Sequence, residues 1–351
     1  MTIKTENSVT IEDVARVAGV SRAAVSKVIR DAYGVSAEMH AKVQAVIDEL
    51  GYRPRSSARA MRGSSFTLGI EIPNVNNHFF TKVINGATAA LVDTRYQLII
   101  APAAPDHDLG PQAIQVLADR QVDGLVAISP RVQPEWLERL ATQIPLVMLG
   151  RHDESVGYDT VVNDDALGAR LAVEHLYGLG HRAIAHLTLD DADELNLSGA
   201  PHVIRRTAYL EVMAELGLAD QARVIEVESN EASARERALE LLARPDRPTA
   251  VFAGHDELAL GVQQAVAELG LAPGEVSVVG YDDTDIAAHP LVSLTSINQS
   301  GTRMGELVVR LLLERINGRA DAVHEVLTPR VMARASSARP VDAVGSGRRL
   351  P

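Results

Sequence analysis

A chain of 351 residues has room for two or three domains with buried cores, and 46% hydrophobic with 23% charged residues is the make-up of an ordinary soluble globular protein. Cysteine is absent, which excludes disulfides, thiolate metal sites and cysteine nucleophiles. No run is apolar and long enough to span a bilayer, and the start MTIKTENSVT lacks the apolar core of a signal peptide, so the expectation is a cytoplasmic protein without a membrane partner.

Residues 1–8 read as a disordered tail. Residues 11–28, IEDVARVAGVSRAAVSKV, read as two short helices broken by a tight turn. Thr10 with Asp13 three residues on forms a capping-box pattern, and Ser21 opens the second segment. Ala15, Gly19 and Val25 have the spacing of a helix-turn-helix: a small residue for close approach, a glycine for positive φ, and a branched residue to lock the pair. A helical hairpin in an ordinary core is the plainer alternative. Charge favours DNA. Residues 1–63 hold ten Lys/Arg against seven Asp/Glu, net +3, which leaves −15 on the remainder of a chain whose net charge is −12. A basic end on an acidic body steers a polyanion to that end.

Ser36 is placed to cap a third helix with the stripe Val43, Val46, Ile47 and Leu50, closed by Gly51. The following stretch, 54–63, is basic, broken by Pro54, and too short and polar for a stable isolated helix. A linker and a segment that folds on docking are equally compatible with it. From Phe66 the texture changes to alternating strands and helices. Strands are expected at 67–72, 96–101, 124–128 and 146–149, with helices near 78–93, 109–120 and 134–141. A second set follows, with strands at 160–162, 183–189, 223–227, 250–253 and 276–280 and helices near 165–179, 203–216, 231–243 and 256–269. Repeated βα units imply two doubly wound parallel-sheet subdomains with a cleft between them and ligand groups at the carboxyl ends of strands. Apolar positions Met304, Leu307, Val308, Leu311 and Leu312 suit either the core or a dimer interface, and the tail 339–351 carries no leucine heptads.

The segments VTIEDVARVAGVSRAAVSKV, GYRPRSSARAMRGSS, VEHLYGLGHRAIAHL, PTAVFAGHDELALG and VSVVGYDDTDIAAHPLVSLTSINQ, in this order, resemble the lactose-repressor/galactose-repressor family of bacterial transcription regulators over about residues 9–337. The resemblance implies a small all-α headpiece at 9–53, a hinge helix at 54–63 that orders in the DNA minor groove, and an α/β core at 64–338 resembling periplasmic sugar-binding proteins. Its subdomains would be about 64–163 with 298–327, and about 164–297 with 328–338. It further implies a homodimer on a pseudo-palindromic operator, most often as a repressor, controlled by a small molecule in the core cleft and using no cofactor or metal.

Carried onto this sequence, Ser21 starts the recognition helix, and Arg22, Ala23 and Lys27 stand at the operator-choosing positions. Arg22 suits guanine O6 and N7, Ala23 offers a methyl contact, and Lys27, where relatives carry Arg, lacks the planar fork. Ser26, Arg30 and Tyr33 are candidate phosphate contacts. In the hinge, Ala58, Arg59 and Met61 match the minor-groove positions, with Met61 where the intercalating residue is usually Leu, and Arg55 and Arg59 track the backbone. In the cleft the resemblance points to Phe79 and Phe80, Arg205, Asp282, and His255 in place of a frequent Asn, with Asp164 and Gln299 as weaker candidates. Arg205 and Asp282 are expected to share a network in the empty pocket. Ser229 stands where an aromatic is frequent, which disfavours a sandwiched flat base, and the loop at 190–194 is strongly acidic. A neutral sugar or glycoside is the expected effector. The alternatives are a periplasmic-type sugar receptor without a DNA role, or a regulator answering to a protein partner. An enzyme is disfavoured: His175, His181, Asp256, Asp282 and Asp283 could be assembled into an acid/base site, but no Gly-x-Gly-x-x-Gly, phosphate loop or Gly-x-Ser-x-Gly marks chemistry.

Overall fold

The computed structural model describes residues 9–29, 33–52, 64–103, 110–190 and 199–341. The chain divides into two compact units, residues 1–65 and 66–351.

The first unit is a three-helix headpiece: α1 (Ile11–Ala18), α2 (Arg22–Ile29) and α3 (Ala37–Leu50). Its capping follows the sequence. The Asp13 amide donates to Thr10 Oγ1 at 3.3 Å and the Thr10 amide to Asp13 Oδ2 at 3.0 Å, a closed capping box. These bonds hold the Asp13 carboxyl down at about 2. Gly19, at φ 64°, makes the left-handed turn between α1 and α2. Ser21 accepts from the Ala24 amide at 3.1 Å, so Ser21 precedes α2 as its cap. The core is small: Val14, Ala15, Ala18, Val25, Val28, Val43 and Val46.

The second unit holds two six-stranded sheets. In chain order its strands are β1 (Thr67–Ile72), β2 (Gln97–Pro102), β3 (Gly124–Ile128), β4 (Leu146–Leu149), β5 (Asp159–Asn163), β6 (Ile184–Leu189), β7 (Arg223–Val227), β8 (Ala250–Ala253), β9 (Ser277–Tyr281), β10 (Thr295–Asn298), β11 (His324–Leu327) and β12 (Arg330–Met332). Between them run α4 (His78–Ala90), α5 (Gly110–Asp119), α6 (Pro134–Ala141), α7 (Asp165–Leu179), α8 (Pro201–Glu215), α9 (Glu231–Leu242), α10 (Asp256–Glu268), α11 (Asp285–Ala288) and α12 (Gly301–Ile316). The first sheet has order β11-β5-β4-β3-β1-β2 and is parallel throughout. The second has order β12-β10-β9-β8-β6-β7, with only the β10–β12 pair antiparallel. Each sheet is covered on both faces. Core residues of α4 and α12 lie on one side of the first sheet and those of α5 and α6 on the other. Residues of α9 and α10, and of α7 and α8, do the same for the second.

Two expectations are corrected. The strand at 160–162, grouped by sequence with the second set, pairs with β4 and β11 in the first sheet. Sequence order misleads here because the chain crosses between sheets after β5, after β10 and after β11 rather than once. The short strands β10, β11 and β12 and the single turn α11 carry too little periodicity to be seen in advance. The alternative left open for Met304, Leu307, Val308, Leu311 and Leu312 is also decided: all five are buried in the first-sheet core. The α4–α12 crossing is too tight for side chains at its centre. A Cβ on Gly305 would lie 2.0 Å from the Val83 carbonyl oxygen, and one on Gly86 2.0 Å from that of Thr302.

Candidate functional site

In the headpiece, the buried residues of α2 are Val25 and Val28, so its opposite side faces out. Arg22, Ala23 and Lys27 are exposed and Ser26 is half-buried, which puts these four positions on one polar face. Arg22 Nη1 lies 3.0 Å from Glu12 Oε1 on α1, a solvent-exposed pair of small energetic weight that a stronger anion can displace. Tyr33 is fully exposed. Arg30, Arg55, Ala58, Arg59 and Met61 lie outside the described residues, as do Asp191 to Glu194 of the acidic loop.

In the core, polar residues converge where the two sheets exchange strands. Arg205, on α8 and buried, places Nε 2.7 Å from Asp165 Oδ1 and Nη2 2.7 Å from the same oxygen. Its Nη1 donates to the Gly254 carbonyl at 2.7 Å, and the guanidinium carbon lies 3.6 Å from the centre of the Tyr281 ring. Tyr281, at the end of β9, accepts from Asn163 Nδ2 at 2.5 Å and donates to Asp165 Oδ1 at 3.2 Å. Asn163 ends β5 in the first sheet, so this hydroxyl ties the two lobes together. The approach needs Gly168: a Cβ there would stand 2.2 Å from the Tyr281 hydroxyl. His152, from the loop after β4, reaches Asp165 Oδ2 at 2.9 Å.

The expected Arg205–Asp282 network is therefore corrected: the ion pair of Arg205 is with Asp165, and Asp282 accepts from Gln299 Nε2. Asp164 is engaged elsewhere as the N-cap of α7, accepting from the Leu167 amide at 2.9 Å. Asp165, Tyr281, Asn163 and His152 were missed by sequence reasoning. Asp165 carried a usable signal, since two adjacent carboxylates at a strand-to-helix junction need only one for the cap.

Asp282 and Asp283 have φ of 117° and 52°, left-handed values that side-chain-bearing residues adopt at a cost. The turn is held by bonds from the Asp282 amide to the Ile297 carbonyl at 2.8 Å and from the Asp283 amide to Ser296 Oγ at 2.9 Å. Burial and the charge of Asp256 push the Asp282 carboxyl well up, against the pull of Arg205. Asp256, also raised by burial, is held at about 6 by bonds from the Ser296 hydroxyl and from the Thr284 amide and hydroxyl. His255 precedes α10, and burial with Arg205 nearby lowers it to about 3, so its imidazole is neutral. Both His255 ring nitrogens and Asp282 Oδ2 are buried without a hydrogen-bond partner. Unsatisfied buried polar atoms are expensive in a folded protein, and they are the atoms a polar ligand would fill.

Phe79 and Phe80 meet edge to face at 5.7 Å and both pack on the first-sheet core. Phe79 is buried there; a Cβ on Gly301 would meet its ring at 2.8 Å. A cavity of about 480 Å³ opens between the lobes, lined by Val75, Asn76, Asn77 and His78 from the first and by Asn230, Glu231, Asp256, Glu257 and Thr284 from the second. Of the polar cluster, Asp256 reaches this cavity. Lys82 of α4 crosses the same gap to the Asp283 carbonyl and to Asp285 Oδ1 at 3.3 Å. His181, by contrast, is buried between Thr249, Ser277 and the Ala338 carbonyl, a structural role.

Residues 10–55 match the family model "Bacterial regulatory proteins, lacI family", and residues 173–337 match "Periplasmic binding protein-like domain". The chain is 33% identical over 337 residues to the ribose operon repressor of Escherichia coli (strain K12), covering 93% of this chain and 99% of that protein. It is 32% identical to the HTH-type transcriptional repressor PurR of Vibrio atlanticus, over 90% of this chain and 93% of the relative. Among solved structures, the lac repressor dimer bound to operator and an anti-inducer superposes with a TM-score of 0.79 at 26% identity, covering 95% of this chain and all of that one. A lacI-family regulator from Enterococcus faecium with bound ribose gives 0.68 at 25% identity over 78% of this chain and all of that one. The relatives are transcription repressors rather than enzymes. With a helix-turn-helix headpiece, a two-lobed core and relatives of this similarity along nearly its whole length, the chain belongs to the lacI family of bacterial regulatory proteins.

Proposed function

We propose that this protein is a repressor that binds a pseudo-palindromic operator as a homodimer and is controlled by a neutral sugar in the core cleft. The observation that carries the effector reading is the set of buried, unfilled hydrogen-bonding atoms at the strand ends: Asp282 Oδ2 and both nitrogens of His255, beside the Arg205–Asp165 pair. A vicinal diol supplies both donors and acceptors to such a set. The ribose-bound structure of a relative supports the ligand class. The polar face of α2 supports DNA reading: Arg22 for a guanine edge, Ala23 for a thymine methyl, Lys27 and Ser26 for further polar contacts, with Tyr33 and Arg30 on phosphates. Arg55, Ala58, Arg59 and Met61 supply the minor-groove part.

A second copy has a surface to cover. Ile99, Ile100 and Val116 are 40%, 42% and 47% exposed along the edge strand β2 and α5, around a shallow cavity of about 500 Å³. An apolar edge of this kind is a liability unless paired.

The test is a thermal-shift screen of neutral sugars against the full chain, followed by gel-shift titration with operator half-sites in direct and inverted repeat. A stabilising sugar that changes affinity for the inverted repeat is the expected result. Stabilisation only by purines or sugar phosphates would overturn the ligand class. For the dimer, Ile100→Glu is expected to shift sedimentation equilibrium toward monomer and weaken operator binding together; a dimer of undiminished stability would remove this face from the interface.

A further inference from the structure

We propose that Asp165 sets the charge of the effector: by neutralising Arg205 it makes the cleft accept uncharged polyhydroxylated molecules and reject carboxylates and phosphates. The inference deepens the proposed sugar reading and rests on the same site.

An arginine in a ligand cleft is the usual receptor for an anion, because its five N–H groups and fixed charge match carboxylate and phosphate oxygens. Here that capacity is largely taken. Nε and Nη2 converge on Asp165 Oδ1, both at 2.7 Å, and Nη1 is on the Gly254 carbonyl at 2.7 Å. One face of the guanidinium lies on the Tyr281 ring at 3.6 Å. Two N–H groups are left, enough for two hydroxyl oxygens. The pair is rigid on the other side too. Asp165 is 2% exposed, stands in the first turn of α7 where the helix dipole favours negative charge, and gives its second oxygen to His152 at 2.9 Å.

No other cation takes over the task. Among the described residues around the cluster, Arg334 is paired with Asp283, Lys82 with Asp285 and Arg206 with Glu226. His255 is held neutral by burial and by Arg205. An entering anion would therefore meet a compensated arginine and the carboxyl groups of Asp282 and Asp256. It would also leave Asp282 Oδ2 unpaired, since an oxyanion without hydrogens has nothing to donate. A diol meets every unfilled atom: it accepts from Arg205 and from one His255 nitrogen, and it donates to Asp282 and to the other nitrogen. Removing the charge of Asp165 while keeping its shape inverts this balance, because Arg205 is then an uncompensated buried cation in search of an anion.

The experiment uses the full-length protein, with inorganic phosphate as the anion probe and D-ribose with D-ribose 5-phosphate as the matched pair, at constant ionic strength. Melting temperature and calorimetric titration are the readouts. Wild type is expected to show no saturable phosphate binding. Asp165→Asn is expected to bind phosphate saturably and at least tenfold more tightly, and the added Arg205→Gln substitution to abolish that gain. A folded Asp165→Asn protein with no gain overturns the inference, as does a gain that survives in the double variant. If Asp165→Asn does not fold, wild type alone decides: saturable phosphate binding competed by a neutral sugar overturns the proposal, and binding of the neutral sugar without its phosphate supports it. The two readings separate cleanly. Phosphate gain in Asp165→Asn with no neutral sugar stabilising wild type keeps the charge role and removes the sugar reading; the converse pattern does the opposite.

Discussion

Tyr281→Phe isolates the contact that joins the two lobes of the core. The substitution keeps the ring, its packing and its place under Arg205, so it opens almost no cavity. What it removes is one hydroxyl that accepts from Asn163 Nδ2 at 2.5 Å and donates to Asp165 Oδ1 at 3.2 Å. Tyr281 is fully buried and Asn163 is buried with its Oδ1 already unpartnered. Stranding Nδ2 as well costs roughly 1–3 kcal/mol, the usual penalty for an unsatisfied buried donor, and Asp165 keeps Arg205 and His152. At about 2–4 °C per kcal/mol for a domain of a few hundred residues, the expected fall in Tm is about 4–8 °C for ~2 kcal/mol. Calorimetry of Tyr281→Phe, Asn163→Ala and the double variant measures it. Because the two groups share the bond, the losses should be non-additive, with a coupling of about 1 kcal/mol or more. A Tyr281→Phe protein within 0.5 °C of wild type, or strictly additive losses, would refute the claim that this hydroxyl ties the lobes.

Three further outcomes are expected. Glu71 is fully buried on β1, takes one bond from the Ile128 amide at 2.9 Å, and is pushed by burial from 4.5 up to about 8. The native state thus keeps a proton that the unfolded chain releases, so its contribution is fully present below about pH 4.5 and is lost as pH rises through about 8. Urea denaturation at pH 5, 6.5 and 8 should show Glu71→Gln flattening that decline by on the order of a few kcal/mol, and parallel pH curves would contradict the assignment. Arg22→Ala is expected to relax discrimination at one base pair by ~1–3 kcal/mol in selection from a randomised operator, with folding intact; an unchanged preference would move base reading elsewhere on α2. Met61→Ala should leave folding and effector binding intact while abolishing high-affinity operator binding, so an unchanged gel-shift affinity would end the wedge assignment.

Local chemistry determined much of this protein by itself. The helix-turn-helix is written in Thr10, Asp13, Gly19 and Ser21, because caps and positive-φ turns involve residues within three or four positions of one another. The same holds for strands such as β1, β3, β4, β7 and β8, whose continuous apolar runs announce burial on both faces. The sequence also named Arg205, His255, Asp282 and Gln299, through a resemblance that preserves motif order. It could not say how they are paired. Whether Arg205 faces Asp282 or Asp165 depends on two residues 40 positions apart meeting beneath a tyrosine from a third element. The assignment of β5 to the first sheet was hidden for the same reason, since pairing partners such as Thr160 and His324 are remote in sequence. Adjacent Asp164 and Asp165 are chemically identical on paper. Only the tertiary structure commits one to capping its own helix and turns the other inward, where it holds the charge of the cleft.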